Sequence, residues 1–143
     1  MHPELTRMFA RLQQVSMLDF QAQSLDGSQM AWNHQARGDT QTVFSDGILT
    51  FRDRFRLDNG RLCRDEKQWR LEDGGLAFYH YRHQAFEQIF LFRIQDNAIR
   101  ADKPYACMPD DYFGTLTWRD NAVVLTIEIR GTRKNEVIRY TYR

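Results

Sequence analysis

The sequence predicts an all-β chain, an antiparallel up-and-down β-barrel preceded by one α-helix. Three observations carry that expectation. After the first fifteen or so residues the apolar pattern alternates with a period of two, the spacing of a strand with one buried face. Asp, Asn and Gly clusters interrupt it about every ten residues, the rhythm of a meander of hairpins. Aromatic residues make up 13% of the chain, with ten Phe and six Tyr, a composition suited to pleated, half-buried surfaces. A meander left open would present two unpaired edges, and closure into a barrel removes them.

The helix is expected over residues 3–16. Leu5, Met8, Phe9, Leu12 and Val15 recur at spacings of three and four, which places them on one face, and Pro3 suits a first helical turn. Strands follow. Leu18, Phe20 and Ala22 alternate with polar residues up to the Asp26-Gly27 turn, a strong hairpin signal. Met30, Trp32, His34 and Ala36 share a face, Gly38-Asp39 punctuates, and Thr40 to Phe44 reads as a separate short strand. From Ile48 to Leu57 one face carries Leu49, Phe51, Asp53, Phe55 and Leu57, and the other a row of arginines, Arg52, Arg54 and Arg56. Such a row is most simply a solvated wall. Asp53 breaks the apolar row, and a buried carboxylate must find a partner or change its protonation.

Cys63 and Trp69 share a parity in the next, more polar strand, and Phe78, His80 and Arg82 share one in the strand after Asp73-Gly74-Gly75. The segment Gln88 to Ile94 is apolar on both faces, Phe90 and Phe92 against Ile89 and Leu91, and the N-terminal helix, expected against the outside or across one end of the sheet, is its obvious cover. Pro104 and Pro109 bracket an irregular crossing around Cys107. Two well-patterned strands, Tyr112 to Trp118 and Ala122 to Arg130, lead through Gly131-Thr132-Arg133-Lys134 to a final strand from Val137 to Arg143. The total is about nine or ten strands, with no linker, repeat or low-complexity segment.

Composition narrows the classes of use. A chain of 143 residues is expected to form one domain with its own core. Its net charge of +1, from 20 basic and 19 acidic side chains, gives no drive toward nucleic acid or membrane. No apolar run matches a bilayer and the N-terminus has no secretory pattern, so a cytoplasmic protein is expected. Two cysteines, Cys63 and Cys107, imply no disulfide framework, although one bridge between them is the other arrangement the count allows. No cofactor or metal motif stands out. His80 and His83, three apart on a strand, point to opposite faces and make no zinc pair.

The closing third, Cys107, Asp110, Tyr112, Gly131, Lys134 and the terminal Tyr140-Thr141-Tyr142-Arg143, is similar to a family of bacterial lipocalin-like domains of unknown function. The family pattern is His-x-Cys-x-x-Asp-x-Tyr followed by Gly-Pro-x-Lys. Here Tyr105 replaces the His and Thr132 the Pro. The resemblance implies a barrel of the calycin type and supplies no chemistry.

The residues themselves leave several readings side by side. Cys107, Asp110 or Asp111, and Tyr112 form either a structural corner, a ligand mouth or a nucleophile site; the last needs a cation near the thiolate. Gly131 to Lys134 is a tight turn, an anion-binding turn, or the place of a Lys134–Asp110 ion pair. Asp53 with Glu66 or Glu128 makes a candidate carboxylate pair. Trp32, His34, Asp53, Tyr105 and Tyr112 are candidate ligand contacts within an aromatic lumen. The leading expectation is non-catalytic binding of a small, partly apolar ligand by a monomer or homodimer. An enzyme of isomerase, cyclase or hydrolase type, or a protein-interaction module built on the doubly apolar Phe90 strand, are the alternatives.

Overall fold

The computed structural model describes residues 2–143. Helix α1 (Pro3–Leu12) is followed by eleven strands: β1 (Met17–Ser24), β2 (His34–Ser45), β3 (Ile48–Arg56), β4 (Leu62–Glu72), β5 (Gly75–Arg82), β6 (Ala85–Gln95), β7 (Ala98–Ala101), β8 (Tyr105–Cys107), β9 (Asp110–Arg119), β10 (Ala122–Arg130) and β11 (Asn135–Tyr142). Every strand pairing among the described residues is antiparallel. Strands β1 to β7 pair in sequence order, β7 pairs with β9, β9 with β10, β10 with β11, and β11 returns to β1. Ten strands therefore close a barrel, and β8 is a three-residue flap paired only to β9.

Alternation along each strand decides what enters the barrel. On β3, Leu49, Phe51, Asp53 and Phe55 are buried, and the intervening arginines are exposed. On β11, Ile138, Tyr140 and Tyr142 point inward. The helix begins at Pro3, with the His2 Nδ1 accepting from the Glu4 backbone N–H at 3.1 Å. Its apolar face, Leu5, Met8, Phe9 and Leu12, is buried, and it touches β4, β5 and β10. It thus plugs the end of the barrel where the β2–β3, β4–β5 and β9–β10 turns lie. The other end, with the 25–33, 102–109 and 131–134 loops, is the rim.

Several expectations are corrected. The helix stops at Leu12 rather than 16, and of the two positions expected for it, it takes the one across a barrel end, so it does not cover β6. Met30 to Ala36 and Thr40 to Phe44 are not two strands: β2 runs unbroken through Gly38, and residues 28–33 form a loop. Gly38 is there for close approach, since a Cβ would lie 2.0 Å from the Arg54 carbonyl oxygen. The β5–β6 hairpin turns on His83 and Gln84, both at positive φ (53° and 66°), a turn with no Gly or Asn to announce it. Finally, a bulge at Phe78/Tyr79 leaves Ile89 without a cross-strand partner on β5, so Ile89 and its neighbour Phe90 are both buried rather than facing opposite sides. Both thiols, Cys63 and Cys107, are free.

Candidate functional site

The lumen divides into a filled half and a hollow half. Beneath the helix five rings fill the lumen: Phe51 packs edge to face on Trp69 and Tyr142, and Trp69 lies tilted on Phe78 and stacked on Phe92. Across the middle runs a buried polar layer set by register. Asp53 lies opposite Thr40 on β2 and Asp65 on β4, and Lys67 lies opposite His80 on β5. The Lys67 ammonium sits 2.5 Å from Asp53 Oδ2 and 2.8 Å from Asp65 Oδ2, above the Tyr140 ring at 3.8 Å. Thr40 donates to Asp53 Oδ1 at 2.8 Å, and the Tyr142 hydroxyl donates to Asp53 Oδ2 at 2.7 Å. The second carboxylate, Asp65, is also hydrogen-bonded to His80 Nε2.

The electrostatics follow from this packing. Burial alone would lower the Lys67 ammonium, but the two carboxylates outweigh it and raise it well above the usual lysine range. Burial alone would raise Asp65; the Lys67 charge and the His80 hydrogen bond override that and hold it well below the usual carboxylate range. Tyr140 and Tyr142 are pushed up, chiefly by burial, so both stay neutral hydroxyls.

Above this layer lies a cavity of about 300 Å³, opening at the rim. Asp65, Lys67 and His80 form its polar floor. Its walls are apolar, formed by Trp32, Phe78, Ile89, Ile127, Ile129 and Ile138. Arg82, Tyr112 and Lys134 stand at its mouth. Such a volume lies at the small end of ligand pockets, about 300–1,000 Å³. A broader trough of about 710 Å³ runs along the outside of β2–β4 over Arg52, Arg54 and Arg64. Arg52 and Arg54 belong to the solvated row expected from the sequence, whose third member, Arg56, is exposed beside it, and Arg64 joins from β4.

A second buried acid shapes the rim. Glu136, on the inward parity of β11, accepts hydrogen bonds from Ser24 Oγ at 2.5 Å and Ser28 Oγ at 2.7 Å. Ser24 Oγ also accepts from the Trp32 backbone N–H at 2.9 Å. These bonds pin the 25–33 loop and set Trp32 against the cavity.

The residues singled out by sequence separate into three places. Trp32, Tyr112 and Lys134 line the cavity. Tyr105, Cys107 and Asp110 stand just outside it. Tyr105 donates to Glu87 at 2.7 Å, which with burial pushes its phenol up to about 12. The Cys107 thiol accepts from Arg82 at 3.9 Å, and Lys134 Nζ lies 3.7 Å from Asp110 Oδ2, as the ion-pair reading expected. The Asp110 carboxylate fills the space over Gly131, where a Cβ would fall 1.9 Å from its Oδ1, so the turn is glycine for close packing. His34 and Asp53 are not cavity-lining residues. His34 Nδ1 bonds Asp58 at 3.1 Å on the outer rim, and Asp53 is sealed behind Lys67. Asp53 pairs neither with Glu66, which bonds Arg52, nor with Glu128, which bonds Arg130.

Sequence reasoning did not single out Lys67, Asp65, His80, Arg82 and Glu136 as site residues. The available signal was parity: Asp65 and Lys67 fall between Cys63 and Trp69 on one face, and Glu136 precedes Ile138 and Tyr140 on another. Among the described residues no group of three or more His, Cys, Asp or Glu is arranged to hold a metal ion. No described helix is long and apolar enough to cross a membrane.

Fold and site together define a β-barrel plugged at one end, with a small polar-floored cavity at the other. The chain belongs to a family of unknown function, DUF6314, whose model matches residues 28–143. No curated protein matches the sequence. Among solved structures the chain is similar to a de novo designed fluorescence-activating β-barrel, at 12% identity and a TM-score of 0.46, over 94% of this chain and 96% of that one. A likeness at that level supports no argument about use.

Proposed function

We propose that the protein binds a small, partly apolar molecule in the rim cavity. The observation that carries this is the cavity of about 300 Å³ with apolar walls and a polar floor, next to a filled and plugged lower half. Side chains that merely filled a barrel would leave no such division. The polar floor supplies the few convergent groups that orient a guest, and Trp32 supplies a large flat wall.

Native mass spectrometry of protein purified from its own host tests this. A co-purifying small molecule is expected, and it should be lost in Ile127→Trp, which fills the cavity from one wall. A bound molecule retained at full occupancy in Ile127→Trp would refute the assignment.

An enzyme is a second reading, favoured by one specific contact. His80 lines the cavity, and its Nε2 is tied to a carboxylate that stays ionised. That arrangement orients an imidazole for proton transfer through Nδ1. Turnover of any metabolite in a host extract should then vanish in His80→Gln while ligand retention persists. Equal turnover in His80→Gln would remove this reading.

A further inference from the structure

Resting on the cavity-binding reading, we infer that the guest carries a single anionic head group, of the carboxylate class, held at the rim between Arg82 and Lys134.

The argument begins with how the cations near the cavity use their charge. Lys67 is saturated, with carboxylate oxygens at 2.5 and 2.8 Å. Charge-assisted hydrogen bonds of this kind run at about 2.7–2.9 Å. Arg82 and Lys134 differ. The Arg82 Nε stands 3.6 Å from Glu87, and its terminal nitrogen reaches only a sulfur at 3.9 Å. Lys134 Nζ is 3.7 Å from Asp110. Both side chains face the cavity mouth and remain partly exposed, 25% and 38%. Neither makes a hydrogen bond of normal charged length to a carboxylate.

The nearby acids are committed elsewhere. Glu87 accepts the Tyr105 hydroxyl at 2.7 Å, and the Asp110 carboxylate is packed over Gly131. They fix the two cations in place without capping their N–H donors. On the floor Asp65 is held by Lys67 and His80, so no free cation remains at depth. An acid entering with its apolar body among Phe78, Ile129 and Ile138 would leave its charge at the mouth, beside the two unsatisfied donors. A guest carrying a cation there meets two like charges, and a neutral acceptor gives the donors only the weaker, uncharged hydrogen bond. The planar guanidinium suits a carboxylate in two-point contact.

A matched set of probes tests this on the whole chain: 4-phenylbutyrate, its neutral amide and 4-phenylbutylamine. Binding is read from Trp32 fluorescence, with Trp32→Phe as the control for origin of signal, and from titration calorimetry. The carboxylate is expected to bind about tenfold or more tighter than the amide, and the amine least. In Arg82→Gln/Lys134→Gln the preference should collapse to parity, the acid losing about tenfold more affinity than the amide, and Arg82→Lys/Lys134→Arg should restore part of it. Circular dichroism checks that each variant is folded. Equal binding of acid and amide, or a preference that survives the double Gln variant, overturns the anion assignment and leaves the cavity reading standing. If none of the three binds the wild-type chain, the cavity reading falls, and the inference with it.

Discussion

Lys67 and Asp53 face each other inside the barrel wall, Nζ to Oδ2 at 2.5 Å, from adjacent strands and a register offset of two pairs. Neither reaches solvent. Their pairing organises the middle layer, because each is also the hub of its own set of bonds: Lys67 to Asp65, and Asp53 to Thr40 and Tyr142.

Removing one partner strands the other. Lys67→Met leaves Asp53 and Asp65 close together with no cation between them, and should destabilise the fold by about 3–5 kcal/mol. The double variant Lys67→Met/Asp53→Leu should recover a large part of that loss. Urea unfolding followed by circular dichroism measures both; additive losses in the double variant would contradict the pairing.

The same layer sets a pH window. Asp65 is held below the ordinary carboxylate value, so the folded chain binds that proton more weakly than the unfolded chain. Its contribution is present above about pH 4 and drains as pH falls through the folded value. Lys67 is raised, so its contribution is present below about pH 10 and is lost as pH rises through its folded value. Tyr140 and Tyr142, also raised, act in the same direction at high pH. The urea midpoint should therefore be flat near neutrality and fall on both sides. In Asp65→Asn the acid limb should become shallower.

Gly114 faces the Phe90 ring so closely that a Cβ would lie 2.6 Å from it. Gly114→Ala should cost about 1–3 kcal/mol by overpacking. Adding Phe90→Leu, which removes the ring, should return part of it. A Gly114→Ala variant as stable as the parent would show that the wall there gives way.

Glu136 ties down the loop that carries Trp32. Glu136→Ala should release residues 25–33 with a modest loss of global stability. Faster amide exchange confined to that loop, and a red-shifted Trp32 emission, are the expected signs. Unchanged exchange would mean the loop is held by other contacts.

Much of this architecture was legible from spacing. The Asp73-Gly74 turn lies where the sequence put it, Asp26-Gly27 turns the chain but opens a loop that runs on to residue 33, and Asp53 announced a buried polar layer by standing in an apolar row. Its partner was not legible, because Lys67 sits among polar neighbours and only its parity with Trp69 separates it from a solvated lysine. The β5–β6 turn was hidden by its His83-Gln84 chemistry. The inward position of Ile89 depends on a bulge, which shifts parity without leaving a mark in composition. Cavity shape lay further still from the sequence, since it depends on which aromatic rings pack under the helix and which leave space.

Plugging by α1 gives the vessel one doorway. On the proposed reading a guest would leave by the route it took in, greasy end leading on arrival and polar end trailing at the threshold. Residence time would then be governed there, by how firmly the trailing group is held and how readily the Trp32 loop yields.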